Sequence, residues 1–268
     1  MNRYPAPVSD GGSTPLDEAV SILAAEVGRL DRTEQVPVSE AAGRVVADAV
    51  RAERAQPHYR RAERDGYAVR AADTVGASAE TPVVLQSGEE SVAPEKASWV
   101  HTGSAVPEGA DAVVMVEEVA ETGDGIEVAE PVEAGAFLTP IGADLEAGTQ
   151  LYEPGHRLRP GDLGTLTVTG VESVPVVEPP TVAVVPTGEE LVQADPGPGE
   201  VVETNGLVGS ALIEHWCGTA RYREVVTDDE AALRAAIERD LDADLVVTTG
   251  GSSVGARDLL PSVVSELG

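Results

Sequence analysis

Residues 244–258 read Asp-Leu-Val-Val-Thr-Thr-Gly-Gly-Ser-Ser-Val-Gly-Ala-Arg-Asp. A short β-branched run ends in a Gly-Gly-Ser-Ser-x-Gly loop, and an acidic residue opens the next apolar segment. This pattern predicts a buried strand feeding a turn at a helix N-terminus, where free backbone N–H groups can hold an oxyanion. Residues 182–191, Val-Ala-Val-Val-Pro-Thr-Gly-Glu-Glu-Leu, form a second apolar run that ends in Thr-Gly and two glutamates. In a parallel sheet both strand ends open on the same side, which is where ligands bind in open α/β folds.

The segments around these two runs alternate. Strands are expected at 182–185, 222–226 and 245–249, and helices at 207–216, after an Asp228 cap, and at 259–267. In the middle helix Leu233, Ile237 and Leu241 fall on one face. Alternating strands and helices imply a parallel three-layer α/β domain. With three strands and a terminal helix its sheet keeps an open edge, so the domain is expected to be incomplete or completed by something else.

Upstream, residues 1–13 are a polar leader rich in Pro, Gly and Ser, expected to be disordered. Thr14 reads as an N-cap with Pro15 at the first helical position. Leu16, Val20, Leu23 and Val27 then follow at helical spacing until Gly28. Ser39 is expected to cap a second helix from Glu40 to about Asp48. From about residue 50 the character changes to short β segments, with strands expected at 81–86, 112–119 and 125–129.

The 268-residue chain has a formal net charge of −29, which argues against nucleic acid or an anionic membrane as the main partner. Lys96 is the only lysine, and 42% of residues are hydrophobic, so a folded protein with an acidic surface is expected. Such a surface suits a salt-rich, halophilic cytoplasm, where counterions screen self-repulsion. Cys217 stands alone, and the four histidines lack metal-ligand spacing. No signal peptide and no membrane span are read, so the expected location is the cytoplasm.

Several segments together resemble the molybdopterin molybdenumtransferase family (MoeA and the gephyrin E domain). They are Val38-Ser39-Glu40-Ala41-Ala42-Gly43-Arg44-Val45, Asp65-Gly66-Tyr67-Ala68, the run from His101 to Asp111, Thr187-Gly188-Glu189-Glu190-Leu191, Thr204-Asn205, and the Gly250–Asp258 loop. The resemblance covers residues 14–268, in the family's order and spacing. It implies a multidomain α/β protein, with a helical or mixed first domain over 14–49 and 136–180. An inserted β-rich domain over 50–135 and a MogA-like molybdopterin-binding domain over 181–268 complete it. It further implies a homodimer that inserts molybdate into adenylylated molybdopterin with release of adenylate, usually with Mg²⁺, and possible contact with other cofactor-biosynthesis proteins.

Carried over by residue, Asp65 and Thr102 would face the partner's site. Glu190 and Asp258 would serve metal or proton work. Thr187, Gly188, Asn205, Gly250, Gly251, Ser252, Ser253 and Gly255 would hold the pterin or the oxyanion. Carboxylates at such a position suit Mg²⁺, which takes a few oxygens plus water and phosphate.

The sequence departs from the family in three places. Before Asp65 it reads Arg60-Arg61-Ala62-Glu63-Arg64 in place of a polar Asn-Ser-x-Met run. Thr139 stands where an Arg-x-x-Gly-x-Asp element has its arginine, and the later Lys-Pro-Gly-Lys-Pro and Pro-Gly-Asn-Pro segments are absent. These departures raise the alternative of a shortened, non-catalytic paralogue that binds pterin or oxyanion, or serves as a dimer partner. Arg51, Arg54, Arg60, Arg61, Arg64 and Arg70 crowd one stretch. They either pair with acidic neighbours or grip an oxyanion.

Overall fold

The computed structural model describes residues 14–88, 91–123, 125–250 and 259–267. The expected leader over 1–13, and with it Gly251, Ser252, Ser253, Gly255 and Asp258 of the predicted loop, lie outside the described residues. The chain forms two compact units: residues 1–35, 43–47 and 175–268 make one, and residues 36–42 and 48–174 the other.

The second unit is built on a six-stranded sheet. Its strands are β1 (Gly66–Val69), β2 (Val83–Ser87), β3 (Lys96–Val100), β4 (Ala112–Met115), β5 (Val119–Thr122) and β6 (Gly125–Val128). They lie in the order β4-β1-β3-β2-β6-β5, with β2 and β3 parallel and the other pairs antiparallel. Alternation along the strands packs both faces. Val69, Leu85, Ala97, Val114, Ile126 and Val128 fill one cluster, and Ala68, Val92, Val100 and Val113 the other. The run expected as one strand over 112–119 is broken by a 3-10 turn at Val116–Glu118, after which β5 begins.

In the first unit, helix α1 (Leu16–Glu26) forms at the predicted spacing but buries none of its residues. It starts with Pro15 at the cap rather than Thr14, without a side-chain cap. Farther along come β7 (Thr181–Pro186), α2 (Asn205–His215), β8 (Thr219–Tyr222), α3 (Glu230–Arg239), β9 (Leu245–Thr249) and α4 (Leu260–Leu267). The sheet order is β8-β7-β9, all parallel. Four consecutive apolar residues, Val182 to Val185, place β7 in the centre, at most 6% exposed. Helix α3 is capped by Asp229, whose Oδ1 accepts the Ala232 N–H at 2.9 Å, and its Leu233 and Ile237 pack with Val263 of α4.

Two further expectations need correction. The helix expected from Glu40 to Asp48 does not form. After a 3-10 turn at Val38–Glu40, Gly43 adopts φ +79°, and Val46 bridges Val176, a partner too distant in sequence for local propensity to reveal. The strand expected at 222–226 lies instead at 219–222. Beyond it the chain still follows β7, with Val226 N donating to Pro186 O at 2.8 Å. No helix among the described residues is long and apolar enough to cross a membrane.

Candidate functional site

In the first unit the two predicted strand ends do come together. β7 and β9 run in register to Pro186 opposite Thr249, and Thr187 N then donates to Thr249 O at 3.0 Å. Gly188 N donates to Val226 O at 3.1 Å, which ties the third chain segment to the same corner. Gly250 has φ +117°, and a Cβ there would stand 2.1 Å from the Thr187 carbonyl oxygen. Only glycine lets the second chain turn away so close to the first.

Thr187 is 2% exposed, and its Oγ1, like that of Thr249, has no hydrogen-bond partner among the described residues. Two buried hydroxyls without partners at the ligand-binding end of a parallel sheet suit a polar ligand, because an unsatisfied buried hydroxyl otherwise costs about 1–3 kcal/mol. Glu190 is exposed, and its carboxylate folds over Gly188, where both oxygens lie 2.9 Å from the position a Cβ would take.

Asn205 is the exposed first residue of α2. The residue that organises this helix start is one the sequence did not single out. Glu203, 6% exposed, accepts the Gly206 N–H through Oε1 at 2.6 Å, and its Oε2 accepts the Tyr222 hydroxyl. A carboxylate here complements the positive end of the helix. Its bond to Tyr222, reinforced by burial, pushes the phenol pKa up. Gly206 is required by this packing, since a Cβ would meet the Tyr222 ring at 2.6 Å and Pro186 at 2.9 Å. An acidic residue just ahead of Thr204-Asn205-Gly206 was the available signal for a capped helix start.

In the second unit Asp65 and Thr102 are adjacent. Thr102 N donates to Asp65 Oδ1 at 2.6 Å. This backbone N–H, then the Thr102 hydroxyl, holds the Asp65 carboxyl below the usual range, although the side chain is largely exposed. The loop is fixed by its neighbours: Gly103 N donates to Ala62 O, Ala62 N to Ser104 O, and Tyr59 Oη to Gly103 O at 2.9 Å.

The arginine run divides. Arg51 and Arg54 bind backbone carbonyls, and Arg70 approaches Asp73 at 4.0 Å. Arg60, Arg61 and Arg64 make no ion pair with the described residues. Among the described residues, pairing with acidic neighbours, one of the two readings of this run, therefore describes Arg70 alone.

The described residues contain no group of three His, Cys, Asp or Glu side chains placed to hold a metal ion. Of the two predicted metal ligands, Glu190 offers one carboxylate, while Asp258 is outside the described residues.

A model of the MoeA N-terminal region (domain I and II) matches residues 14–170, and a model of a probable molybdopterin binding domain matches residues 183–268. The molybdopterin molybdenumtransferase of Bacillus subtilis (strain 168) is 33% identical over 270 residues, 95% of this chain and 63% of its own length. Molybdopterin molybdenumtransferase 2 of Mycobacterium tuberculosis (strain CDC 1551 / Oshkosh) is 32% identical over 252 residues, 89% of this chain and 62% of its own. The crystal structure of a molybdopterin biosynthesis moea protein from Pyrococcus horikosii superposes with a TM-score of 0.84 at 31% identity, covering 96% of this chain and 67% of that one. The chain thus spans slightly less than two thirds of the length of these curated relatives.

Proposed function

The chain belongs to the MoeA family, and from that premise we propose that it acts in molybdenum cofactor biosynthesis, inserting molybdate into adenylylated molybdopterin with release of adenylate. The observation that carries this reading is the corner where β7 and β9 end. There Thr187 and Thr249 present buried hydroxyls without partners among the described residues, and Gly250 clears the space beside them.

In this reading Thr187, Gly188, Asn205 and Gly250 hold the pterin side of the substrate, together with Gly251, Ser252, Ser253 and Gly255. Backbone N–H groups and hydroxyls suit phosphate and molybdate oxygens, which accept and do not donate. Glu190 and Asp258 supply carboxylates for proton transfer or for Mg²⁺. Mg²⁺ binds through one or two carboxylates plus water and substrate phosphate, so the single carboxylate of Glu190 fits such a shared site rather than a protein-only cage. When bound, the ion would neutralise phosphate charge.

Asp65 and Thr102 serve the site of the second subunit in a homodimer. Their mutual hydrogen bond supports this reading by keeping the carboxylate ionised and its loop fixed. The net charge of −29 suits work in a salt-rich cytoplasm.

Equilibrium binding of molybdopterin to the parent and to Thr187→Val tests the assignment of the β7–β9 corner. The valine keeps the shape and removes the hydroxyl. Binding weakened about tenfold, corresponding to a lost hydrogen bond to a charged group, supports the site. Equal binding by both proteins excludes Thr187 from it.

A further inference from the structure

Asp65 and Thr102 stand at the end of a row of rings on one face of the six-stranded sheet. Tyr67 opposes Trp99 across β1 and β3, and alternation brings His101, two residues beyond Trp99, to the same face. Farther along that face Val69 and Ala97 join the buried cluster, whereas Trp99 is 41% exposed. Its indole is held from two sides. Tyr67 meets it edge to face at a ring-centroid distance of 5.1 Å, and Tyr67 Oη donates in turn to Glu121 Oε1 at 2.8 Å. The Trp99 Nε1–H donates to His101 Nε2 at 3.2 Å, and the His101 ring is also edge to face. With its one polar group satisfied and no described ring lying parallel to it, the indole offers apolar π surface in a fixed orientation.

The segment that leads into Asp65 carries cations. Arg61 and Ala62 pair with Thr139 and Leu138 on one side, and on the other Val106 N donates to Arg60 O and Ala62 N to Ser104 O, each at 3.0 Å. The segment is thus clamped against the turn that follows Trp99. The guanidinium groups of Arg60, Arg61 and Arg64 make no ion pair or hydrogen bond with the described residues, in a chain with 47 acidic ones. The two carboxylates within the run are engaged elsewhere. Thr139 Oγ1 donates to Glu63 Oε1 at 3.0 Å, and Asp65 Oδ1 accepts the Thr102 N–H. Guanidinium groups left unpaired in so acidic a chain suit an oxyanion from outside.

We propose that this face binds a phosphate-bearing planar heterocycle, with Trp99 stacking the ring and Arg60, Arg61 and Arg64 holding the phosphate. An aromatic platform beside arginines is the combination that holds a base and its phosphate without reading sequence. Adenylylated molybdopterin carries two such rings, the purine and the pterin. That identification rests on the reaction proposed above; the platform and its unpaired cations do not.

The test uses tryptophan emission of the full chain. Trp99 and Trp216 are the two tryptophans, so Trp216→Phe isolates the signal of Trp99. In that background, at about 0.1 M salt so that exposed guanidinium groups are only partly screened, AMP and molybdopterin are titrated separately. Saturable quenching of Trp99 is expected, and the ligand that quenches, or the tighter of the two, names the ring. Inorganic phosphate should compete without quenching. Replacing Arg61 and Arg64 together by Gln should raise the Kd about tenfold and leave the depth of quenching at saturation unchanged. Quenching by neither ligand, or a Kd that the two arginine substitutions leave unchanged, overturns the proposal. In turnover of adenylylated molybdopterin, Trp99→Leu should raise KM about tenfold with kcat nearly kept, as for a group that holds substrate and transition state alike. Quenching as expected with no adenylate released by any form removes the reaction assignment and leaves the platform. Adenylate release without quenching removes the platform and leaves the reaction.

Discussion

A Cβ placed on Gly250 would stand 2.1 Å from the carbonyl oxygen of Thr187. The atom it would strike is backbone, in the residue that follows the central buried strand, so the clash cannot be relieved by rotating a side chain. Gly250→Ala must also adopt φ near +117°, which L residues rarely reach. The expected cost is about 2–3 kcal/mol of unfolding free energy, read as a lower urea midpoint with an unchanged slope. A midpoint equal to that of the parent would show that the two strand ends are farther apart in solution.

Asp65→Asn should separate function from stability. Asn keeps a carbonyl oxygen to accept the Thr102 N–H, and the side chain is exposed, so the urea midpoint should stay at that of the parent. Adenylate release should fall by about a hundredfold or more if the charge acts in the reaction. Unchanged release would remove Asp65 from the chemistry and leave it as a loop tie.

Asp240 lies fully buried at the end of α3, and Arg223 and Arg239 both reach it. The Arg223 guanidinium, opposed by burial, draws the carboxyl below its usual range. Removing one charge from such a pair strands the other, although Arg223 and Arg239 are partly exposed and can recover water. Asp240→Asn should therefore cost about 2 kcal/mol, less than a wholly buried pair, by urea unfolding.

Acid should loosen the first unit through Asp244. Its carboxylate accepts two hydrogen bonds from Arg32 and one from Thr181 N, each at 2.8 Å. These partners, Arg32 first, hold its pKa at about 2. The folded value lies below the unfolded one near 3.9, so the contribution is present above about pH 4 and lost as pH falls toward 2. Asp244→Asn should melt below the parent at pH 7, and the gap should close by about pH 2. A gap that stays constant with pH would contradict this assignment.

The sequence showed most where a local pattern and its structural cause coincide. Leu245–Thr249 was legible to the residue because a β-branched run meets Gly250, and the Asp229 cap was missed by a single position. The larger failures involve distant partners. Ser39 signalled a helix, but Val46 pairs with Val176, and Gly43 turns the chain before a helical turn can propagate. Glu203 with Tyr222, and Asp240 with Arg223, stand 19 and 17 residues apart. Each of these residues reads as an ordinary exposed polar side chain until the sheet brings the pair together. Asp65 and Thr102, 37 residues apart, were singled out only through the resemblance of their two motifs to a known family, and their contact with each other was not legible in the sequence.

The central claim is that this chain exchanges adenylate for molybdenum at the pterin. Its most direct test is release of adenylate from adenylylated molybdopterin, followed with the purified protein at high salt with Mg²⁺ and with or without molybdate. The account predicts binding of the adenylylated pterin and adenylate release that depends on molybdate. Tight binding without release, or no binding by a folded protein, would contradict it and leave a non-catalytic member of the family.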